Sequence, residues 1–197
     1  MGCGLEEHEY EIYSPIIPRG GYVRDFFLPE SDGELSDQLA IIVDGEGPVL
    51  KSVAMKRLAK SWGLGRFDQK VEARLSSLFP DSISANGAEE DFVWHEARIG
   101  PKTYHFRGAC FYPSSKRKVQ EVCLEELGNV TLYVLESVEE LNVEELTRRV
   151  CRIIGTSSSD LARERINRAL RIDFIRNEIN IDGDTIKLSN CTSLDLT

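Results

Sequence analysis

The sequence has no apolar run close to the roughly 20 residues that a membrane-crossing helix needs, and its first residues form no secretory hydrophobic region. The expectation is a cytoplasmic chain that does not cross a membrane. Met1-Gly2-Cys3-Gly4 begins like an acylation site, but Glu6 stands where the myristoylation pattern requires Ser or Thr. Cysteine is scarce. Cys3, Cys110, Cys123, Cys151 and Cys191 are odd in number, scattered and without a CxxC pair, which fits reduced thiols buried as small hydrophobes and not a disulfide framework. His95, His105, Cys110 and Cys123 fall in one stretch, yet their spacing matches no structural zinc pattern. Catalytic signatures are missing too: there is no GxSxG, no phosphate-binding GxxxxGKS or GxxxxGKT, and no HExxH. Asp182 and Asp184 flank Gly183 like part of a metal loop, but a hairpin turn accounts for both. Neither an enzyme, nor a metal, nor another cofactor is expected. Basic charge is also in deficit: 24 Lys and Arg face 33 Asp and Glu, a net charge of -9. That excludes a uniformly basic nucleic-acid coat but leaves room for a local basic face.

What is present is a globular composition, 41% hydrophobic and 29% charged over 197 residues, enough for one large domain or two small ones. An internal repeat favours two. Shifting the sequence by 92 residues aligns Glu34–Gly63 with Glu126–Gly155 without a gap. Glu34 meets Glu126, Arg57 meets Arg149 and Gly63 meets Gly155, while Ile42/Val134, Leu58/Val150 and Trp62/Ile154 keep apolar character. Beyond the glycine the shift becomes 95, pairing Val71 with Ile166 and Leu75 with Leu170, so three extra residues are assigned to the second turn.

Each repeat reads as three helices and a strand pair. In the first, Leu35, Leu39, Ile42 and Val43 have helical spacing, and Gly45-Glu-Gly-Pro48 stops the helix. Ser52 is the expected cap of a second helix whose Met55, Leu58, Ala59 and Trp62 share a face. Phe67, Val71, Leu75 and Leu78 form the stripe of a third helix, and Asn86-Gly87 signals a hairpin before the strand Asp91–Trp94. The second repeat gives helices over Leu127–Leu135, Glu144–Ile154 and Leu161–Phe174, the last capped by Ser159 or Asp160. A hairpin over Glu178–Leu188 follows, turning at Asp182-Gly183. The fold class predicted is α+β, mainly helical: two tandem winged-helix units, each a helix-turn-helix plus a β-hairpin, related by duplication. The expected divisions are an N-terminal extended segment (1–25), a first unit (26–99), a connecting segment packed on the second unit (100–124) and the second unit (125–197). Tyr104, Phe106, Phe111 and Tyr112 mark the connecting segment as packed, and it carries the basic run Lys116-Arg-Lys118.

Ile42–Val49, Lys56–Gly63, Asp91–Trp94, Glu144–Val150 and Ile153–Gly155 together carry a family likeness. Over about Phe26–Leu188 the sequence resembles an uncharacterised domain near the C-terminal end of bacterial superfamily I helicase-related proteins, which often also carry a Vsr-like endonuclease domain. The resemblance implies a nucleic-acid setting and a helicase or nuclease protein partner, but no catalytic residue. Two departures stand out: the turn after Gly63 is shorter and less basic than the family's, and no helicase or nuclease segment is present.

Charge placement supplies the candidate site. Lys51–Phe79 holds seven basic residues and two acids, and Val143–Asn177 holds eight arginines and five acids, so both helix-turn-helix segments are basic islands on an acidic chain. Arg66, Lys70 and Arg74 recur every four residues beside the apolar stripe, and Arg165, Arg168 and Arg171 recur every three on the matching helix. A third helix with an apolar back and a cationic front suits phosphate contact. These six residues are the predicted nucleic-acid contacts of a non-catalytic accessory module. The competing expectation is a protein-interaction module gripping a partner helix, suggested by the acidic stretch Glu30–Glu46, which has six acids and no base.

Overall fold

The helical spacing of Leu35, Leu39, Ile42 and Val43 becomes the buried face of one helix in the computed structural model, which describes residues 10–80, 83–84, 88–95 and 106–189. The elements in order are β1 (Glu11–Ile12), α1 (Asp32–Glu46), β2 (Val49–Leu50), α2 (Lys51–Ser61), α3 (Gln69–Ser77), β3 (Ile83–Ser84), β4 (Phe92–His95), β5 (Arg107–Gly108), α4 (Leu124–Glu136), β6 (Leu141–Asn142), α5 (Val143–Ile154), α6 (Asp160–Ala169), α7 (Asp173–Arg176), β7 (Ile179–Asp182) and β8 (Thr185–Leu188). The architecture is mainly helical α+β with small sheets. The described residues divide into two compact units, an N-terminal one of residues 14–95 with 121–123 and a C-terminal one of 10–13, 106–120 and 124–189. Of the stretch read above as one segment, the described residues 10–25 divide at Tyr13: β1 pairs in parallel with β5, while the residues after Tyr13 belong to the N-terminal unit.

In the N-terminal unit, α1, α2 and α3 enclose a core that includes Phe26, Leu35, Leu39, Leu58, Trp62, Val71 and Leu75. β4 lies between β2 and β3, antiparallel to both. Successive strand residues point to opposite faces. Accordingly Val93 joins this core, whereas Phe92 and Trp94 pack with Leu50 and Cys123. The expected cap Ser52 is displaced. The chain passes straight from β2 into α2, Leu50 occupies the cap position, and the Lys51 amide donates to the Asp91 carbonyl (2.8 Å). At α3 the cap is Asp68, whose carboxylate accepts from the Lys70 and Val71 amides. The predicted turn Asn86-Gly87 lies outside the described residues.

The C-terminal unit repeats the order helix, strand, helix, helix, strand, strand, with the short helix α7 added before the strand pair. β8 lies between β6 and β7, and α4 packs on α5 and α6. Asn142 caps α5 and Ser159 caps α6 through their side chains. Three expectations need correction. The helix predicted over Leu161–Phe174 breaks after Ala169, and Ile172 in extended conformation starts α7. On one continuous helix Leu170 and Ile175 would stand about 140° apart; the break lets both be buried. The three extra residues do not lengthen the turn either, since α3 starts six residues after Gly63 and α6 five after Gly155. The hairpin loop is Gly183-Asp184, one residue later than read, with Gly183 at φ 60° in the first loop position, as a type II′ turn requires.

Candidate nucleic-acid interface

In each unit the turn before the third helix is overlaid by the chain that precedes the first helix. Gly63 and Gly155, matched by the repeat, hold that turn with φ of 81° and 72°, a backbone region that a Cβ makes costly. In the N-terminal unit Gly21 rests on the Trp62 ring and Phe26 packs edge-on against it (5.8 Å between centroids). Side chains of the helices capture this strap's backbone. Arg57 bonds Glu46, Glu46 accepts from the Ile16 amide, and Gln38 donates to the Arg19 carbonyl (2.9 Å) while accepting from Trp62 Nε1 (2.8 Å).

That capture accounts for the first predicted stripe. Arg74 donates from Nε to the Phe26 carbonyl (2.9 Å) and from Nη2 to the Leu28 carbonyl (2.8 Å), and it pairs with Asp32. Lys70 Nζ lies 4.3 Å from the centroid of Phe27. Arg66 is exposed but precedes α3 and is not on the helix. The face of α3 opposite Val71 and Leu75 carries Gln69, Ala73 and Ser77, all exposed and none charged. So the Lys70/Arg74 edge of α3 serves the strap.

The second stripe departs differently. A three-residue repeat drifts by 60° per step around a helix of 100° per residue. Arg165 consequently turns toward Ala162, Ile166 and Ala169 and is only 7% exposed. Arg168 on α6 and Arg171 just after it are exposed. Arg163, overlooked because it breaks the three-residue rhythm, is also exposed, about 140° around the helix from Arg168, with Asn167 between. Glu164 and Asp160 are the acids there. On α5, Arg148 and Arg149 pair with Glu144 and Glu145; the hydrogen bond from Arg149 holds the Glu145 carboxyl below its usual range.

The arm of the C-terminal unit is fixed by charge. Glu126 on α4 accepts from the Arg107 amide (2.9 Å), from Arg107 Nε (3.1 Å) and from both terminal nitrogens of Arg117 (2.8 Å each). Both guanidinium groups also lie over the Tyr13 ring. Burial by itself would raise the Glu126 pKa, but the Arg117 and Arg107 charges outweigh it and hold the group at about 2. Arg117 is therefore not part of a solvated basic run: it is 5% exposed, whereas Lys116 and Lys118 on either side are exposed. The aromatics of this segment separate in the same way, with Phe106 buried and Phe111 and Tyr112 exposed. Tyr104 and His105 lie outside the described residues. Among the described residues no group of three or more His, Cys, Asp or Glu is placed to hold a metal ion, and burial pushes the Cys151 thiol up to about 11, well away from a reactive thiolate. Among them, too, no helix is long and apolar enough to cross a membrane.

Fold and surface together define a mainly helical α+β protein of two similar units, with exposed arginines on one third helix. A model of a family described as a protein of unknown function (DUF3320) matches residues 24–73, the stretch from the end of the N-terminal strap through α1 and α2 into α3. No curated protein matches the chain.

Proposed function

We propose that this chain is a non-catalytic nucleic-acid-binding accessory module made of two winged-helix units related by duplication, and that its C-terminal unit grips the phosphate backbone with α6. The winged-helix reading is supported by the shared element order and by sheet orders β2-β4-β3 and β6-β8-β7, in which the strand between the first two helices pairs with the last strand. It is supported also by Gly63 and Gly155 in the same left-handed conformation and by Trp62 and Ile154, both buried at the ends of α2 and α5. The observation that carries the binding reading is the exposed side of α6, around which Arg163 and Arg168 stand, with Arg171 just beyond, on a chain of net charge -9. Phosphate contacts position a helix without reading sequence, so affinity is uniform across duplexes. The resemblance to a domain of helicase-related proteins supplies the setting: a cytoplasmic helicase- or nuclease-type protein to which this weakly binding module is tethered.

Arg163→Ala combined with Arg168→Ala weakens duplex binding by about tenfold or more at low salt, since charge-assisted hydrogen bonds are the strong ones. Lys70→Ala changes it less than about twofold. Fluorescence anisotropy on two unrelated duplexes checks both. A loss at Lys70 as large as at the arginine pair sinks the assignment to α6. One observation favours a protein partner instead: α1 turns Glu34, Asp37, Ile41 and Asp44 outward. That reading takes over if the arginine pair has no effect on nucleic acid.

A further inference from the structure

One surface of the C-terminal unit is not used by the phosphate-contact reading. Phe111 and Tyr112 are 68% and 54% exposed, with ring centroids 4.0 Å apart and planes inclined by 34°. Their loop is held firmly. The Ser115 hydroxyl accepts from the Cys110 amide (2.9 Å) and lies 2.7 Å from the Tyr112 carbonyl, and the Ser115 amide donates to that same carbonyl (3.0 Å). On one side the Ala109 amide donates to the Ile153 carbonyl (2.6 Å), and on the other Arg117 is anchored to Glu126. Two large rings held in water by a fixed loop bury little of their own apolar area, so the fold gains little from them there.

Charge and location say what they suit. Residues 106–120 contain four basic side chains and no acid, on a chain with nine more acids than bases. Arg107 and Arg117 are bound by Glu126, and Lys116 and Lys118, a few residues along the chain from the rings, are exposed. Lys116 packs against Gly155, so this loop adjoins the turn that leads into α6. Flat π surfaces beside cations are the combination that holds unpaired bases and their phosphates without sequence preference.

We propose, resting on the nucleic-acid reading above, that Phe111 and Tyr112 form a stacking platform for the bases of a single strand lying next to the phosphate-gripping face of α6. The module then takes a single strand or an unpaired extension in preference to a blunt duplex. The full chain is titrated against labelled oligothymidine, oligouridine and a blunt duplex at low salt. The double variant Phe111→Ala/Tyr112→Ala loses about tenfold or more on the single strands and less than about twofold on the duplex. Phe111→Leu/Tyr112→Leu keeps the apolar bulk but not the π faces, and it loses as much as the alanine pair. Both variants keep the wild-type melting temperature, because the rings are exposed. Single-strand affinity within twofold of wild type in the alanine variant overturns the proposal, as does full affinity in the leucine variant. If Arg163 and Arg168 still govern duplex binding in that case, the phosphate-contact reading survives and only the platform falls. If the wild-type chain binds none of the three probes, both fall together.

Discussion

Glu126→Gln lowers the stability of the C-terminal unit by about 3–5 kcal/mol, the cost of removing one partner from a buried ion network. The carboxylate is 2% exposed and bonds two guanidinium groups, one of them buried nearly as deeply. Glutamine has nearly the same shape but no charge, so Arg107 and Arg117 are left facing one another without compensation. Urea unfolding followed by circular dichroism reads the loss. Replacing all three residues by apolar ones of similar size recovers most of it, because such networks roughly break even against well-packed hydrophobics. The same group makes the unit acid-sensitive. Its folded pKa, about 2, is depressed below the ordinary 4.5. Its contribution is therefore complete above pH 4.5 and is lost as the pH falls from there toward 2. Glu126→Gln flattens stability across that window; an unchanged acid limb shows that other carboxylates control it.

The second large effect is in the N-terminal unit. Trp62→Ala costs about 3–5 kcal/mol as a large-to-small change in a packed core. Trp62 is 2% exposed, stacks edge-on with Phe26, and supports Gly21 of the strap. Trp62→Phe separates packing from hydrogen bonding: it keeps a ring but leaves Gln38 Oε1 without the indole donor, at about 1–3 kcal/mol. A loss below about 1 kcal/mol for Trp62→Ala in chemical denaturation contradicts the placement of this ring at the junction of strap, α1 and α2.

Much of the helical framework was legible in the sequence because it rests on local periodicity. The apolar faces of α1, α2 and α3 follow from three- and four-residue spacing, and the left-handed turns at Gly63 and Gly155 from one residue type. β2 and β6 were not legible, since a two-residue strand leaves no alternation to read. The site was read less well, for a physical reason. A basic stripe has the same spacing whether it faces a polyanion or the chain's own carbonyls. The partners of Arg74 are backbone oxygens 46 and 48 residues away, which no local pattern encodes. The run Lys116-Arg-Lys118 hid a buried residue between two exposed ones for the same reason: the partner, Glu126, is reached only through the fold. Arg163 was passed over because the strict three-residue rhythm took in only Arg165, Arg168 and Arg171.

The central claim is that α6 of the C-terminal unit neutralises phosphates, and the salt dependence of duplex binding tests it most directly. Each neutralised phosphate releases counterions and contributes about -0.9 to the slope of log K against log salt. Arg163, Arg168 and Arg171 together predict a slope near -3, reduced by about two when Arg163 and Arg168 are replaced by alanine and unchanged by Lys70→Ala. An arginine variant with the wild-type slope, or a wild-type chain that shows no duplex binding below about 100 μM at low salt, contradicts the account.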